Sequence, residues 1–337
     1  MSGGLDPWRR GGHFAAIAVG GVLFATCLAT GLAAGEDASS GPVEGPGEAR
    51  SGPPTAAEAA SWEAEFLARE GQTLRAPPTP PGKRALRNLF PQNRVVSVYG
   101  AANGFGVVGR KSVNGAAKKL SKQAKPYRRL SRDPVIRAFD LVAVIATSCS
   151  GPTDKCRVRV SDNTIQTYLN KIRKLNGRLI LDIQPARSNV MKEIDHLREF
   201  IRKPDVDVAI DAEWNVGRNG IPGQTQGSIG AKKLNEASLE IQSIIRKRDL
   251  PQKLMIVHQF HEGSIKKGRD VKRRDDVDVT FNFDGIGSRA AKKAAYRQLR
   301  TKRLFNGFSL FYNLDDNLMR PRGVMRPKPK PDYVMYQ

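Results

Sequence analysis

The sequence predicts an α/β chain whose main domain is a (β/α)8 barrel without a C-terminal eighth helix. Three observations lead there. Strand-like and helix-like segments alternate from Arg94 onward, and eight strand candidates fit into about 240 residues, the size and rhythm of such a barrel. Four of these candidates end in polar, mostly acidic residues two apart: Asp182-Ile183-Gln184, Asp211-Ala212-Glu213, His258-Gln259-Phe260-His261 and Asn282-Phe283-Asp284. Residues two apart on a strand share a face, so these acids and amides turn inward while Ile183, Ala212 and Phe283 turn outward towards covering helices.

The strand candidates are 94–100, 138–147, 178–185, 206–214, 253–260, 277–285, 307–313 and 332–337. A Gly-rich run from Tyr99 to Gly109 follows the first. It lacks a dinucleotide fingerprint, since no suitably placed acid follows the second strand, and reads as a loop approaching a ligand or as a mobile turn. Helical spacing links Ile165, Leu169, Ile172 and Leu175 before the third strand. It recurs in Val190, Ile194, Leu197 and Ile201, behind the cap candidate Ser188 and ahead of Pro204, and in Leu234, Ala237, Ile241 and Ile244. The eighth strand runs directly into Gln337, which leaves no room for a last helix. An open doubly wound sheet is the alternative, because periodicity alone does not show closure.

Residues 1–34 read as a signal peptide or a membrane anchor. Arg9 and Arg10 precede an apolar run from Phe14 to Ala34, suited either to cleavage near Ala33 or Ala34 or to retention in a membrane. Cys27 follows Thr26 within that run, a poor lipobox. Residues 35–93 read as a Pro/Gly/Ala-rich linker with a short helix near 56–70. Thr55 and Glu58 suit a capping box there, and Ala59, Trp62 and Phe66 line one side, suited to docking where the eighth helix is missing.

Cys149 and Cys156 form an isolated pair around a turn-rich loop, which predicts a disulfide in an exported chain. Two thiols without a nearby histidine do not suit zinc. Residues 1–93 hold 8 Lys/Arg and 9 Asp/Glu of the chain's 56 and 33, which leaves residues 94–337 with 48 against 24. Outside the cytoplasm so positive a field favours anionic wall polymers, acidic glycans or lipid head groups. No aromatics interleave the basic runs as base stacking would need, so nucleic acid is not an expected partner. The expected partner is cell-wall polysaccharide or another anionic envelope polymer, with the membrane added if the N-terminal segment is retained. The expected location is secreted or anchored to the outer face of the cytoplasmic membrane, and no cofactor or metal is expected.

The inward set holds the candidate chemistry. Glu213, Asp211, Asp182 and Asp284 are the catalytic candidates; Tyr99, Gln184, Trp214, His258, Gln259, Asn282 and Tyr312 are the substrate-binding ones. The phase of the fifth strand leaves open whether His258 or Gln259 points inward. Four carboxylates in one mouth, with no inward Lys or Arg apparent, cannot all ionise cheaply, and like charge keeps at least one protonated near neutral pH. Each also has a plainer reading, because Asp at a strand–helix junction often caps the next helix, and Gln and Asn often tie loops.

Asp211-Ala212-Glu213 resembles the Asp-x-Glu strand end of chitinase-like barrels, which implies that Glu213 is the acid; the upstream Asp and Gly spacing of that motif is absent here. The segments Leu181–Pro185, Asp211–Trp214, Pro251–Phe260, Asp284–Gly287 and Tyr336-Gln337 resemble a group of exported bacterial barrel proteins, some labelled lipoproteins. That resemblance spans roughly residues 94–337 and implies an extracytoplasmic barrel without implying a reaction.

The sequence thus leads to an extracytoplasmic carbohydrate-active barrel, a glycosidase-like hydrolase with Glu213 as general acid. Asp211 would tune it or place a substrate group, and Asp182 or Asp284 would be the partner carboxylate. A non-catalytic barrel that binds cell-wall glycan is the alternative. A metal-assisted hydrolase using His258, with His261 and Asp182 or Asp284 as further ligands, is the third.

Overall fold

The computed structural model describes residues 55–69, 89–102, 104–149 and 154–337. The predicted leader, most of the linker and the side chains of Trp62 and Phe66 lie outside the described residues. Eight parallel strands close on themselves: β1 (Arg94–Ala101), β2 (Val135–Ala146), β3 (Arg178–Ile183), β4 (Val206–Asp211), β5 (Lys253–Gln259), β6 (Val277–Phe283), β7 (Phe305–Leu310) and β8 (Tyr333–Tyr336). Each pairs with the next in the chain, and β8 pairs with β1, so the open-sheet alternative falls.

Helices Val113–Leu130, Asp162–Arg173, Val190–His196, Ala231–Arg248 and Arg289–Leu299 lie between the strands. Their apolar faces (Leu120 and Tyr127, Ile165 and Ile172, Leu234 and Ile241 among them) are buried against the barrel's outer wall. Ser161 caps the helix after β2. After β3 the cap is Asn189, whose side chain accepts the Met191 N–H at 2.9 Å, and not Ser188. The Ser188 hydroxyl is engaged instead in donating to Glu193. Glu193, fully buried, also takes Arg157 at 3.0 Å and Arg159 at 2.8 Å from a short antiparallel strand, Arg157–Arg159, that prolongs the sheet beside β2.

The N-terminal helix Ala56–Arg69 opens with the predicted capping box: Thr55 N–H donates to Glu58 at 2.8 Å and Glu58 N–H to Thr55 at 3.1 Å. It packs against the Arg157–Arg159 strand, beside β2 and not in the place of an eighth helix. Sequence alone gave no way to choose between those edges.

At the bottom of the barrel, where strands begin, burial of charge is solved by pairing. Arg178 on β3 grips Asp207 on β4 through two bonds of 2.5 and 2.7 Å, and the Leu254 N–H donates to the same carboxylate at 2.8 Å. Lys253, fully buried, donates to the carbonyls of Lys203 and Val206, both at 2.7 Å. Leu89 and Phe90 seal this end, with the Phe90 N–H on Asp278 at 2.9 Å. Removing one member strands the others: Asp207→Ala is expected to cost about 3–5 kcal/mol in denaturant unfolding, because Arg178 is left charged, buried and unpaired.

Cys149 and Cys156 are joined, with Cα atoms 4.1 Å apart. Together with Ala146 and Ala186 they form a small apolar cluster on which Trp214 rests. Closing so short a loop contributes about 2.5 kcal/mol on the chain-entropy model. Replacing both cysteines by serine is expected to lower unfolding stability by about that amount, and peptide mapping without reductant should recover residues 149 and 156 in one linked fragment.

Candidate active site at the barrel mouth

Alternation along each strand sorts the inward side chains into layers. Arg178 and Asp207 lie lowest. Ser97 on β1, Asp140 on β2 and Tyr333 on β8 form a middle layer: Tyr333 Oη donates to Asp140 at 2.5 Å and lies 2.7 Å from Ser97 Oγ. Tyr99, Asp182, Asp211, His258, Asn282 and Ser309 crown it at the strand C-termini.

In the crown, Tyr99 Oη donates to Asp182 Oδ2 at 3.0 Å, and Gln184 Nε2 reaches Tyr99 Oη at 3.4 Å while its own oxygen accepts the Ala146 N–H at 3.1 Å. His258 Nδ1 meets Asp284 Oδ2 at 3.1 Å. Asn282 lies 3.3 Å from the same nitrogen and donates to Ser309 at 2.8 Å. The fifth strand therefore turns His258 inward. Gln259 is buried on the opposite face of β5, and only its carbonyl touches the site's backbone, accepting the Asp284 N–H at 3.0 Å.

β4 ends at Asp211, and Ala212–Trp214 is a 3-10 turn, so Glu213 leaves the strand alternation. Its carbonyl accepts the Gly227 N–H at 2.7 Å. A Cβ on Gly227 would meet that oxygen at 2.3 Å, so only glycine permits the contact. Asp211 is buried, whereas Glu213 stays half-buried at the opening.

Burial, and then Glu213, pushes the Asp211 carboxyl well above the usual range. Burial, and then Asp284, pushes Glu213 up to about 8. Asp140 rises to about 8, from burial and then Asp182. Burial raises Asp182 too, although His258 and the Tyr99 hydroxyl oppose it. Burial alone would discharge His258, but Asp284, Asp182 and Asp211 outweigh it and hold the imidazolium well above its ordinary value. Oδ1 of Asp140, Asp182, Asp211 and Asp284, Oδ1 of Asn282 and Nε2 of His258 are buried without a hydrogen-bond partner in the protein. Native interiors satisfy most such atoms, so their convergence singles out the mouth as the candidate site.

Two aromatic candidates fall elsewhere. Trp214 rests on the disulfide cluster at the edge of the site. Tyr312 stacks on Tyr336, centroids 5.6 Å apart, and Tyr336 bonds Tyr127 of the outer helix at 2.6 Å, so this group lies outside the wall that Tyr333 lines within. His261 folds back on its own turn, its Nδ1 accepting the Gly263 N–H at 2.8 Å, and does not join His258. Among the described residues no three His, Cys, Asp or Glu gather in a geometry that could hold a metal ion.

The Gly-rich run after β1 bends back on itself, Gly100 bridging Gly106 and Ala101 bridging Phe105. A Cβ at Gly100 would stand 2.2 Å from the Phe105 carbonyl oxygen. Gly100, Gly106 and Gly109 therefore serve contact between backbones. Asp140, Ser97, Ser309 and Tyr333 were not anticipated from sequence; the available signal was a lone acid, Asp140, in the inward phase of an otherwise apolar strand.

Fold and site together define a (β/α)8 barrel with an acidic, partly protonated mouth at the strand C-termini. The chain matches no family model, no curated protein and no solved structure. No helix among the described residues is long and apolar enough to cross a membrane.

The retained protons make stability depend on pH. Between about pH 5 and 7 the unfolded chain has released carboxylate protons that Asp140, Asp211 and Glu213 still hold when folded; Asp182, raised by burial, and Asp278, pushed up to about 7 chiefly by burial, act in the same direction. Folding then takes up protons, so stability falls as pH rises through this window; His196, lowered by burial, and near its upper end Lys253, pushed down to about 7 by burial, oppose the trend. Thermal unfolding is expected to show Tm declining from pH 5 to 7, with a shallower decline in Asp140→Asn. A flat profile would mean that the mouth is ionised in the native state.

Proposed function

We propose that the protein is an extracytoplasmic carbohydrate-active hydrolase of glycosidase type, with Glu213 as general acid. The observation that carries this reading is a raised carboxyl, Glu213, at the same opening as Asp284, which pairs with His258. Glu213 is held protonated at the opening up to about pH 8, while Asp284 faces an imidazolium 3.1 Å away. One carboxylic acid to protonate a leaving oxygen and one charge-supported carboxylate to attack, or to activate water, is the pairing that glycoside hydrolysis requires. His258 orients Asp284 through their 3.1 Å contact. Asp211, buried and protonated, donates to a substrate hydroxyl, and the orphaned oxygens of Asp182 and Asn282 take others. The disulfide supports the extracytoplasmic placement, since such bonds persist in oxidising compartments.

Reducing-sugar release from a panel of cell-wall and extracellular glycans tests the reading. Glu213→Gln keeps shape and hydrogen bonding but removes the transferable proton, so kcat is expected to fall roughly 10²–10⁴-fold with KM little changed. Asp284→Asn should cut turnover severely and move the alkaline limb of the residual activity to lower pH, because the charge that raises Glu213 is gone. A parent protein that binds a glycan but releases no sugar is a binding barrel, and the hydrolase reading ends there.

A further inference from the structure

Among the described residues three large apolar side chains stand exposed, Phe105, Leu239 and Leu314, and of these Phe105 alone carries a ring. Single apolar residues at a surface are common and need no role. Phe105 differs in where it is aimed and in how firmly it is held. Tyr99 faces the barrel interior, where it bonds Asp182, and Ala101, two residues on, shares that face of β1. Ala101 bridges Phe105 across the antiparallel turn, and directly opposed residues present their side chains to the same side. The backbone thus turns Phe105 over the mouth. The rings agree with this: Phe105 and Tyr99 meet at 83°, centroids 6.1 Å apart. The Tyr99 ring lies in turn 5.8 Å from that of His258. One ring separates Phe105 from the polar crown.

A perpendicular contact leaves at least one face of the Phe105 ring clear of Tyr99. No other ring or cation of the described residues packs on it, and the residue is 41% exposed. The clasp sets its position, since a Cβ on Gly100 or Gly106 would strike the main-chain oxygen of Phe105 or of Tyr99. A ring mounted on so rigid a turn loses little freedom when a ligand arrives. The side chain has no donor or acceptor, so what it recognises is an apolar surface. In a carbohydrate that surface is the C–H face of a pyranose whose hydroxyls are equatorial.

We propose that Phe105 is the stacking platform at the rim of the site, holding a pyranose with equatorial hydroxyls by its C–H face beside the ring that reaches Glu213. The proposal rests on the carbohydrate reading for its ligand, and adds to it a binding residue and the shape of sugar that this residue selects.

Calorimetric titration of Glu213→Gln protein with cellotetraose and with the N-acetylglucosamine tetramer tests it. Phe105→Leu keeps an apolar side chain and removes the ring. It is expected to bind the better of the two ligands roughly three- to tenfold weaker, the range that aromatic stacking commands. Phe105→Trp should bind as the parent does or tighter. Leu239→Ala trims an exposed apolar side chain on helix Ala231–Arg248 and should leave binding unchanged. Each variant should keep the parent's Tm, which separates loss of binding from loss of fold. Parent-like affinity in Phe105→Leu overturns the proposal, as does a parent that binds neither tetramer. Weaker binding accompanied by a lower Tm makes the ring a cover for Tyr99 and overturns it as well. With Glu213 in place, Phe105→Leu should raise KM by the same factor and leave kcat nearly unchanged, because stacking serves ground and transition states alike. The two readings fail separately. A parent that binds a tetramer through Phe105 but releases no sugar ends only the hydrolase reading. A parent that releases sugar with a KM indifferent to Phe105→Leu ends only this one.

Discussion

Five carboxylates, Asp140, Asp182, Asp211, Glu213 and Asp284, share the upper barrel with a single imidazole, and the electrostatics of the molecule turn on that imbalance. Ionising all of them away from water would cost several kcal/mol each. The barrel instead leaves protons on several and gathers the rest around His258. At the opposite pole the same problem has the opposite solution: Arg178 and Asp207 neutralise one another, and Lys253 is surrounded by carbonyls. One end is held together by compensated charge. The other carries charge left uncompensated, as befits the end where ligands meet a barrel of this type.

Much of this was legible in the sequence because side-chain alternation is a hard rule. Given strands, Asp182, Asp211 and Asn282 had to share the interior, and the structure puts them there, with Asp284 half-buried just past its strand beside His258. Legibility stopped where the rule stopped. β5 carries polar residues in both phases at its end, so only the neighbouring strand, with Asn282 paired to His258, decides which points inward. Trp214 and Tyr312 lie beyond their strand ends, where loop geometry replaces periodicity, and neither joins the carboxylates. Asp140 was hidden for another reason: it sits mid-strand between Phe139 and Leu141, far from the strand end where polar residues draw notice. The cap at Asn189 shows the same limit on a small scale, since Ser188 and Asn189 are equally good in isolation and a distant partner, Glu193, settles the choice.

The placement of Glu213 shows how a loop can be made as definite as a strand. Its turn is held from below by Trp214, seated on the Cys149–Cys156 cluster, and from the side by the Gly227 amide. Asn215, two residues on, closes the loop by donating to the Ser228 carbonyl at 2.7 Å. Covalent, apolar and main-chain constraints thus converge on one short turn and fix where the Glu213 side chain begins.

The clasp between Gly100 and Gly106 bears on how such a mouth can be retargeted. Beside Tyr99 the clasp presses main chain against main chain, so Gly100 and Gly106 leave no room to add a side chain. The loop after β4 and the turn after β5 are instead held by side-chain contacts from Asn215 and Ser264. Substitutions at the rim are therefore accommodated least at Gly100, Gly106 and Gly227, where main chain meets main chain, and the clasp serves as the reference edge against which the rest of the rim varies.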